Sequence, residues 1–198
     1  MPIKTGLLCI PAYDEAAVEA VRGLLAQAVT GLVVLQEGTA PTQRNVLEDL
    51  LCRWCDEEEL DLVITIGGTL PAPGPSGREL APLVTLAVAE RTLPGLPEAM
   101  RAYAQDELPL AIIDGSVAAI RGRTLLLNLP AGAVPAAVFL EAIVDVIGAV
   151  IAHLQEDPAA PALHANAADA APEPPPAQRG LNAEEFSAFL KRSKDAKS

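Results

Sequence analysis

Leu60-Asp61-Leu62-Val63-Ile64-Thr65-Ile66-Gly67-Gly68-Thr69 is the stretch that decides the fold. A short apolar run passes directly into a Gly-Gly-Thr turn. Continuous runs of this kind mark strands covered on both faces, as in a parallel sheet flanked by helices. Open α/β sheets bind their ligands just past the carboxyl ends of such strands. Two adjacent glycines let backbone N–H groups approach an anionic or heteroaromatic ligand, because no Cβ intervenes. A second strand, Thr124-Leu125-Leu126-Leu127, ends in a comparable way in Asn128-Leu129-Pro130-Ala131-Gly132. The two strand ends predict two walls of one site.

Outward from this stretch, strand and helix alternate. Strands are expected over 3–10, 31–36, 60–66, 110–113 and 124–127, with a short turn and strand over 118–122. Helices are expected over 14–28, 45–59, 81–90 and 96–105, and one long apolar helix over 135–154. Val18, Val21, Leu24, Leu25 and Ala28 recur at helical spacing, as do Val46, Leu47, Leu50, Leu51 and Trp54. The alternation predicts an α/β fold with a mostly parallel central sheet.

The 198 residues suit one domain and a tail. Of these, 51% are apolar but only 3% aromatic, so aliphatic residues must build the core. The net charge of −12 leaves no basic footprint to release counterions, so nucleic acid is not an expected partner, nor is a membrane surface. Residues 1–10 carry too short an apolar run for a signal peptide, and no run reaches the ~18 residues of a membrane span. Three cysteines argue against a disulfide framework and for a reducing cytoplasm.

The composition changes near Asp157. Residues 1–156 form the expected domain, and 157–180, dominated by Ala and Pro, form an expected disordered linker. Residues 181–194 regain a pattern. Asn182 and Glu185 resemble a capping box, and Phe186, Phe189 and Leu190 make an apolar stripe on a short amphipathic helix. Such a tethered helix either presents a docking peptide to a protein partner or folds back on its own domain.

Few residues advertise chemistry. Cys52 and Cys55 are spaced as a Cys-x-x-Cys pair but sit mid-helix, without the helix N-terminus that lowers a thiol pKa. Cys9 reads as a core residue. His153 and His164 are the two histidines, and neither falls in a metal or triad pattern. The Pro- and Gly-rich loop after Thr69, with Ser76, Gly77, Arg78 and Glu79, reads either as a cover for a site or as a plain surface loop.

The order of several motifs is more specific than any one of them. Residues 61–69 are followed by Arg78-Glu79-Leu80-Ala81-Pro82, Thr85-Leu86-Ala87-Val88-Ala89, Pro94-Gly95-Leu96-Pro97-Glu98-Ala99-Met100-Arg101 and Leu127-Asn128-Leu129-Pro130. From Pro2 to Leu154 the chain resembles the MogA/MoaB family, the molybdopterin-binding domain of molybdenum cofactor biosynthesis. The resemblance implies a three-layer α/β sandwich, a homotrimer, and a pterin site at the Gly-Gly-Thr and Asn-Leu-Pro strand ends. It also implies adenylation of molybdopterin with ATP and Mg. There the pterin's terminal phosphate attacks the α-phosphorus of ATP, a reaction that depends on metal-bound carboxylates and preorganised charge.

Carried onto this sequence, the substrate-binding residues are Gly67, Gly68, Thr69, Ser76, Arg78, Asp114, Asn128 and Pro130. Glu79 is the catalytic and metal-binding carboxylate. Several positions depart from the family's pattern. Its Gly-Gly-Thr-Gly is Gly67-Gly68-Thr69-Leu70, its Arg-Asp is Arg78-Glu79, and its Thr-Pro-acid-Ala is Ala81-Pro82-Leu83-Val84. A Pro-Asp becomes Pro41-Thr42, a Ser-Arg becomes Asp114-Gly115, and Asn-Leu-Pro-Gly becomes Asn128-Leu129-Pro130-Ala131. The Ser-Asp-Arg loop after the first strand is replaced by Pro11-Ala12-Tyr13. Scaffold positions are kept and polar ones are altered, so the sequence supports two functions. One is a molybdopterin adenylyltransferase. The other is an inactive family member that binds or scaffolds through its C-terminal helix.

Overall fold

The computed structural model describes residues 2–71, 80–158 and 160. Ser76, Arg78 and Glu79 lie outside the described residues, as do the linker, His164 and the stripe Phe186, Phe189 and Leu190. Six strands form one sheet: β1 Ile3–Cys9, β2 Leu32–Thr39, β3 Leu62–Ile66, β4 Arg91–Thr92, β5 Ala118–Arg121 and β6 Thr124–Leu129. Their order is β2-β1-β3-β6-β5-β4. The pairs β1–β2, β1–β3 and β3–β6 are parallel, and β5 joins β6 and β4 antiparallel.

Among the described residues six helices cover the sheet: α1 Glu15–Ala28, α2 Arg44–Asp56, α3 Leu80–Val88, α4 Gly95–Ala104, α5 Ala133–Glu141 and α6 Val144–Leu154. Strand side chains alternate between the two faces. Leu7, Cys9, Leu62, Ile64, Ile66, Leu125, Leu127 and Leu129 pack with α1, α4, α5 and α6. Leu8, Ile10, Val63 and Leu126 pack with Leu47, Leu51 and Trp54 of α2 and with Ala81, Val84 and Val88 of α3. The result is the three-layer α/β sandwich.

Local chemistry explains the helix starts. The Asp14 carboxylate accepts a 3.0 Å bond from the Ala17 amide and caps α1, one of the four N–H groups a helix start leaves unpaired. In α2, Leu47, Leu51 and Trp54 face the sheet at helical spacing. Trp54 lies so close over β1 that a Cβ at Gly6 would stand 2.8 Å from its ring, which is why β1 carries a glycine there.

Three expectations need correction. Residues 110–113 are not a strand: Pro109–Ile113 is a 3₁₀ turn. Proline at the first position loses no helical N–H and its fixed φ suits the turn. Leu110 and Ile112 are about two-thirds exposed (64% and 65%), so no sheet face draws this run in.

The long helix over 135–154 is two helices bent by 64°. At the bend Ile143 leaves the helical region, with φ −132° and ψ −7°. No proline or glycine stands between α5 and α6 to announce it. Phe139 and Leu140 before the bend, Ile143 at it, and Ile147 and Ile151 after it are all buried in the same core. No single described helix is long and apolar enough to cross a membrane.

Finally, β2 is not covered on both faces like β1, β3 and β6. It alternates half-buried and exposed residues along its length, with Leu35 52% exposed, because it forms the outer edge of the sheet.

Candidate functional site

The parallel pairing of β3 with β6 sets Thr65 against Asn128 and Ile66 against Leu129. Their two following loops therefore start side by side, and the Gly67 amide donates a 2.8 Å bond to the Leu129 carbonyl. Gly67 and Gly68 have φ of +99° and +69°, a region that L side chains avoid. The turn is also tight: a Cβ on Gly67 would lie 2.2 Å from the Ile10 carbonyl oxygen. The Gly68 carbonyl accepts from the Ala81 amide at the start of α3.

Beside these ends lies a cavity of about 260 Å³. Leu70, immediately after the Gly-Gly-Thr turn, forms one wall, and Pro130 of the Asn-Leu-Pro loop forms another. The 3₁₀ turn supplies Pro109, Leu110 and Ala111, and α5 supplies Pro135 and Phe139. Among the described residues Asp114 is the one charged group in the lining.

Asp114 is 4% exposed and held by hydrogen bonds from two directions. The Thr69 hydroxyl donates to Oδ2 at 2.5 Å, and the Ser116 amide donates to Oδ1 at 2.8 Å. The Ser116 hydroxyl also donates to Oδ1. A buried carboxylate needs such donors to offset its lost hydration. The amide bond from two residues on is an Asx turn, the signal by which Asp114-Gly115-Ser116 could be read as an ordered loop.

Asn128 has a different place. It is 0% exposed, and its Nδ2 donates at 2.8 Å to both the Thr65 and Thr85 hydroxyls. Its Oδ1 accepts from the Val117 amide at 3.2 Å. This side chain lies in the layer between the sheet and α3 and does not line the cavity. It locks the end of β6 to β3, α3 and the start of β5.

The structure thus brings Asp114 and Pro130 together in the cavity lining, with Thr69 bonded to Asp114 and with Gly67 and Gly68 shaping the adjoining turn. Asn128 braces the strand end from behind. Sequence reading did not single out Leu108, Pro109, Ala111, Pro135 or Phe139 as lining residues, since aliphatic core and cavity wall look identical in one dimension. Among the described residues no group of three or more His, Cys, Asp or Glu could hold a metal. Both Asp114 oxygens are engaged by Thr69 and Ser116, so this carboxylate is not offered to a metal ion.

Residues 13–149 match the family model described as "Probable molybdopterin binding domain". The chain belongs to the molybdopterin-binding-domain family of molybdenum cofactor biosynthesis. It is 36% identical over 141 residues to the molybdopterin adenylyltransferase of Escherichia coli K12, spanning 71% of this chain and 70% of that one. The Helicobacter pylori J99 molybdopterin adenylyltransferase is 32% identical over 118 residues, covering 60% of this chain and 65% of that one. Among solved structures, the molybdopterin biosynthesis enzyme MoaB of Thermus thermophilus matches with a TM-score of 0.70 and 31% identity. That match covers 79% of this chain and 98% of MoaB. The Mog protein of Mycobacterium ulcerans, at 23% identity and a TM-score of 0.69, shares the fold, covering 79% of this chain and 99% of Mog. In this molybdopterin-binding domain the cavity lies beside the carboxyl ends of β3 and β6.

Proposed function

We propose that this chain binds molybdopterin at the carboxyl ends of β3 and β6 and adenylates its terminal phosphate with Mg-ATP. One observation carries the reading: Leu70, next after the Gly-Gly-Thr turn, and Pro130, of the Asn-Leu-Pro turn, wall the same cavity. Its flat Leu, Pro and Phe walls suit the faces of a fused ring. Its volume of about 260 Å³ lies just below the ~300–1,000 Å³ of drug-sized sites, room for a ring system.

In this reading Gly67 and Gly68 permit close approach of the ligand, Asp114 is the polar group of the cavity wall with Thr69 bonded to it, and Ser76 is a substrate-binding residue on the family resemblance alone. Arg78 pairs with the phosphate, and Glu79 is the metal-binding and catalytic carboxylate. Asn128 acts through the strand end that carries Pro130. The terminal phosphate oxygen of molybdopterin attacks the α-phosphorus of ATP, and pyrophosphate leaves with the bridging electron pair. The relatives named adenylyltransferases support chemistry over a purely scaffolding role.

The reading extends to a homotrimer in the cytoplasm. Leu110, Ile112, Ile113 and Val134 are each more than half exposed, the kind of apolar surface that subunit interfaces cover. Three free thiols suit a reducing compartment. On sequence pattern alone, Phe186, Phe189 and Leu190 are assigned to a protein partner.

The deciding experiment is formation of adenylated molybdopterin by the purified chain with Mg-ATP, with Glu79→Ala beside it. Product that vanishes in Glu79→Ala supports the reading. No product, while a known adenylyltransferase turns over in the same assay, refutes it. Light scattering at three times the 20.6 kDa chain mass checks the trimer.

A further inference from the structure

A loop of three residues, Asp114-Gly115-Ser116, touches both the cavity and a helix that has no place in its lining. On the cavity side the loop is tied to the Gly-Gly-Thr turn twice. The Thr69 hydroxyl donates to the Asp114 carboxylate at 2.5 Å, and the Gly115 amide donates to the Thr69 carbonyl at 2.9 Å. A Cβ on Gly115 would sit 3.0 Å from that carbonyl and 3.5 Å from Pro82, so the loop and the turn are in close contact. On the other side stands Arg101, in the last turn of α4. Its Nη1 donates to the Asp114 carbonyl at 3.3 Å and to the Ser116 carbonyl at 3.2 Å. The two acceptors bracket Gly115.

We infer that Arg101 is a positioning residue for the ligand cavity: it clamps the Asp114–Ser116 loop against Thr69 from behind and so sets the wall that Asp114 presents. Arg101 itself has no place in the cavity lining. It acts through two backbone carbonyls, both bonded to one nitrogen, Nη1, of its planar, permanently charged guanidinium. The helix C-terminus, where backbone carbonyls carry partial negative charge, favours a cation at that position. The inference rests on the cavity being the molybdopterin site, but the clamp itself is testable without that premise.

Two measurements on the full chain decide it, with Arg101→Ala and Arg101→Lys. Amide hydrogen exchange at Gly115 and Ser116 reports the clamp. In Arg101→Ala these amides are expected to exchange about tenfold faster than in the parent, while β3 amides keep their protection. Adenylation kinetics report the cavity wall. KM for molybdopterin is expected to rise roughly tenfold in Arg101→Ala, with kcat changed much less and Arg101→Lys intermediate. A merely structural arginine would lower Tm and the active fraction but leave KM in place. Unchanged exchange at Gly115 overturns the clamp. Faster exchange with unchanged KM overturns its role in positioning the cavity. If the parent shows no turnover, the functional reading fails separately. The exchange result, read with molybdopterin affinity by titration, then decides the inference.

Discussion

Thr69 and Asp114 are 45 positions apart, yet the threonine hydroxyl donates to Asp114 Oδ2 at 2.5 Å with both residues buried. This bond joins the turn after β3 to the loop after the 3₁₀ turn. It converts two separate chain segments into one rim. Thr69→Val keeps the shape and removes the donor, leaving a buried carboxylate oxygen short of a partner. The expected cost is about 1–3 kcal/mol. For a domain of this size each kcal/mol lowers Tm by roughly 2–4 °C. Thermal unfolding of Thr69→Val against Thr69→Ser, which keeps the donor, checks this. Equal Tm values would mean the bond contributes nothing.

Filling the cavity separates binding from folding. Ala111 is buried and lines the cavity, so Ala111→Leu places its extra carbons in empty space. Cavity-filling substitutions commonly stabilise by about 0.5–2 kcal/mol. Molybdopterin binding should be lost while Tm holds or rises. Titration calorimetry with molybdopterin provides the check, and undiminished affinity would place the ligand elsewhere.

Two glycines should respond in opposite directions to alanine. Gly67 has φ +99°, and its added Cβ would lie 2.2 Å from the Ile10 carbonyl oxygen. Gly67→Ala must shift β1 or the turn, at a cost of at least ~2 kcal/mol. Gly23 lies inside α1 with nothing within 4 Å of the added carbon. There the substitution lowers the entropy of the unfolded chain and stabilises by about 0.4–1 kcal/mol. Denaturant melts of the two variants should move to either side of the parent.

Cys55 carries a pH signature. Burial pushes its thiol up from 9.0 to about 11, so the folded protein holds it protonated while the unfolded chain ionises first. The contribution is fully present below pH 9 and is lost as pH rises from there to about 11. Over this window Cys55→Ser should flatten the fall in stability, measured by urea unfolding at each pH. Burial likewise raises the Cys9 thiol. The half-buried Cys52 should therefore be the first of the three to react with iodoacetamide in the native state, read by peptide mass mapping.

The scaffold was largely legible in one dimension. The apolar runs of β1, β3 and β6 and the helical stripes of α1 and α2 need little context, because burial on one or both faces writes its period into the residues. The two Gly- and Pro-marked strand ends could be paired as one site for the same reason, since parallel neighbours end together. The run Leu110-Ala111-Ile112-Ile113 misled, because branched side chains suit a strand as well as an exposed 3₁₀ turn, and the choice depends on what lies beside them. The bend at Ile143 was invisible, because no breaker residue makes it.

By itself the sequence determined the α/β alternation, the end of β3, the end of β6 to within two residues, the glycines that turn there, and the family that shares this order of motifs. These depend on local period and local backbone freedom. Tertiary structure alone decided that Asn128 braces a strand end rather than facing the cavity, that Asp114 lies between Thr69 and Ser116, and that Arg101 grips the loop behind it. Each of those depends on side chains dozens of positions apart meeting in a buried space, where every polar group needs a partner and the fold chooses which one.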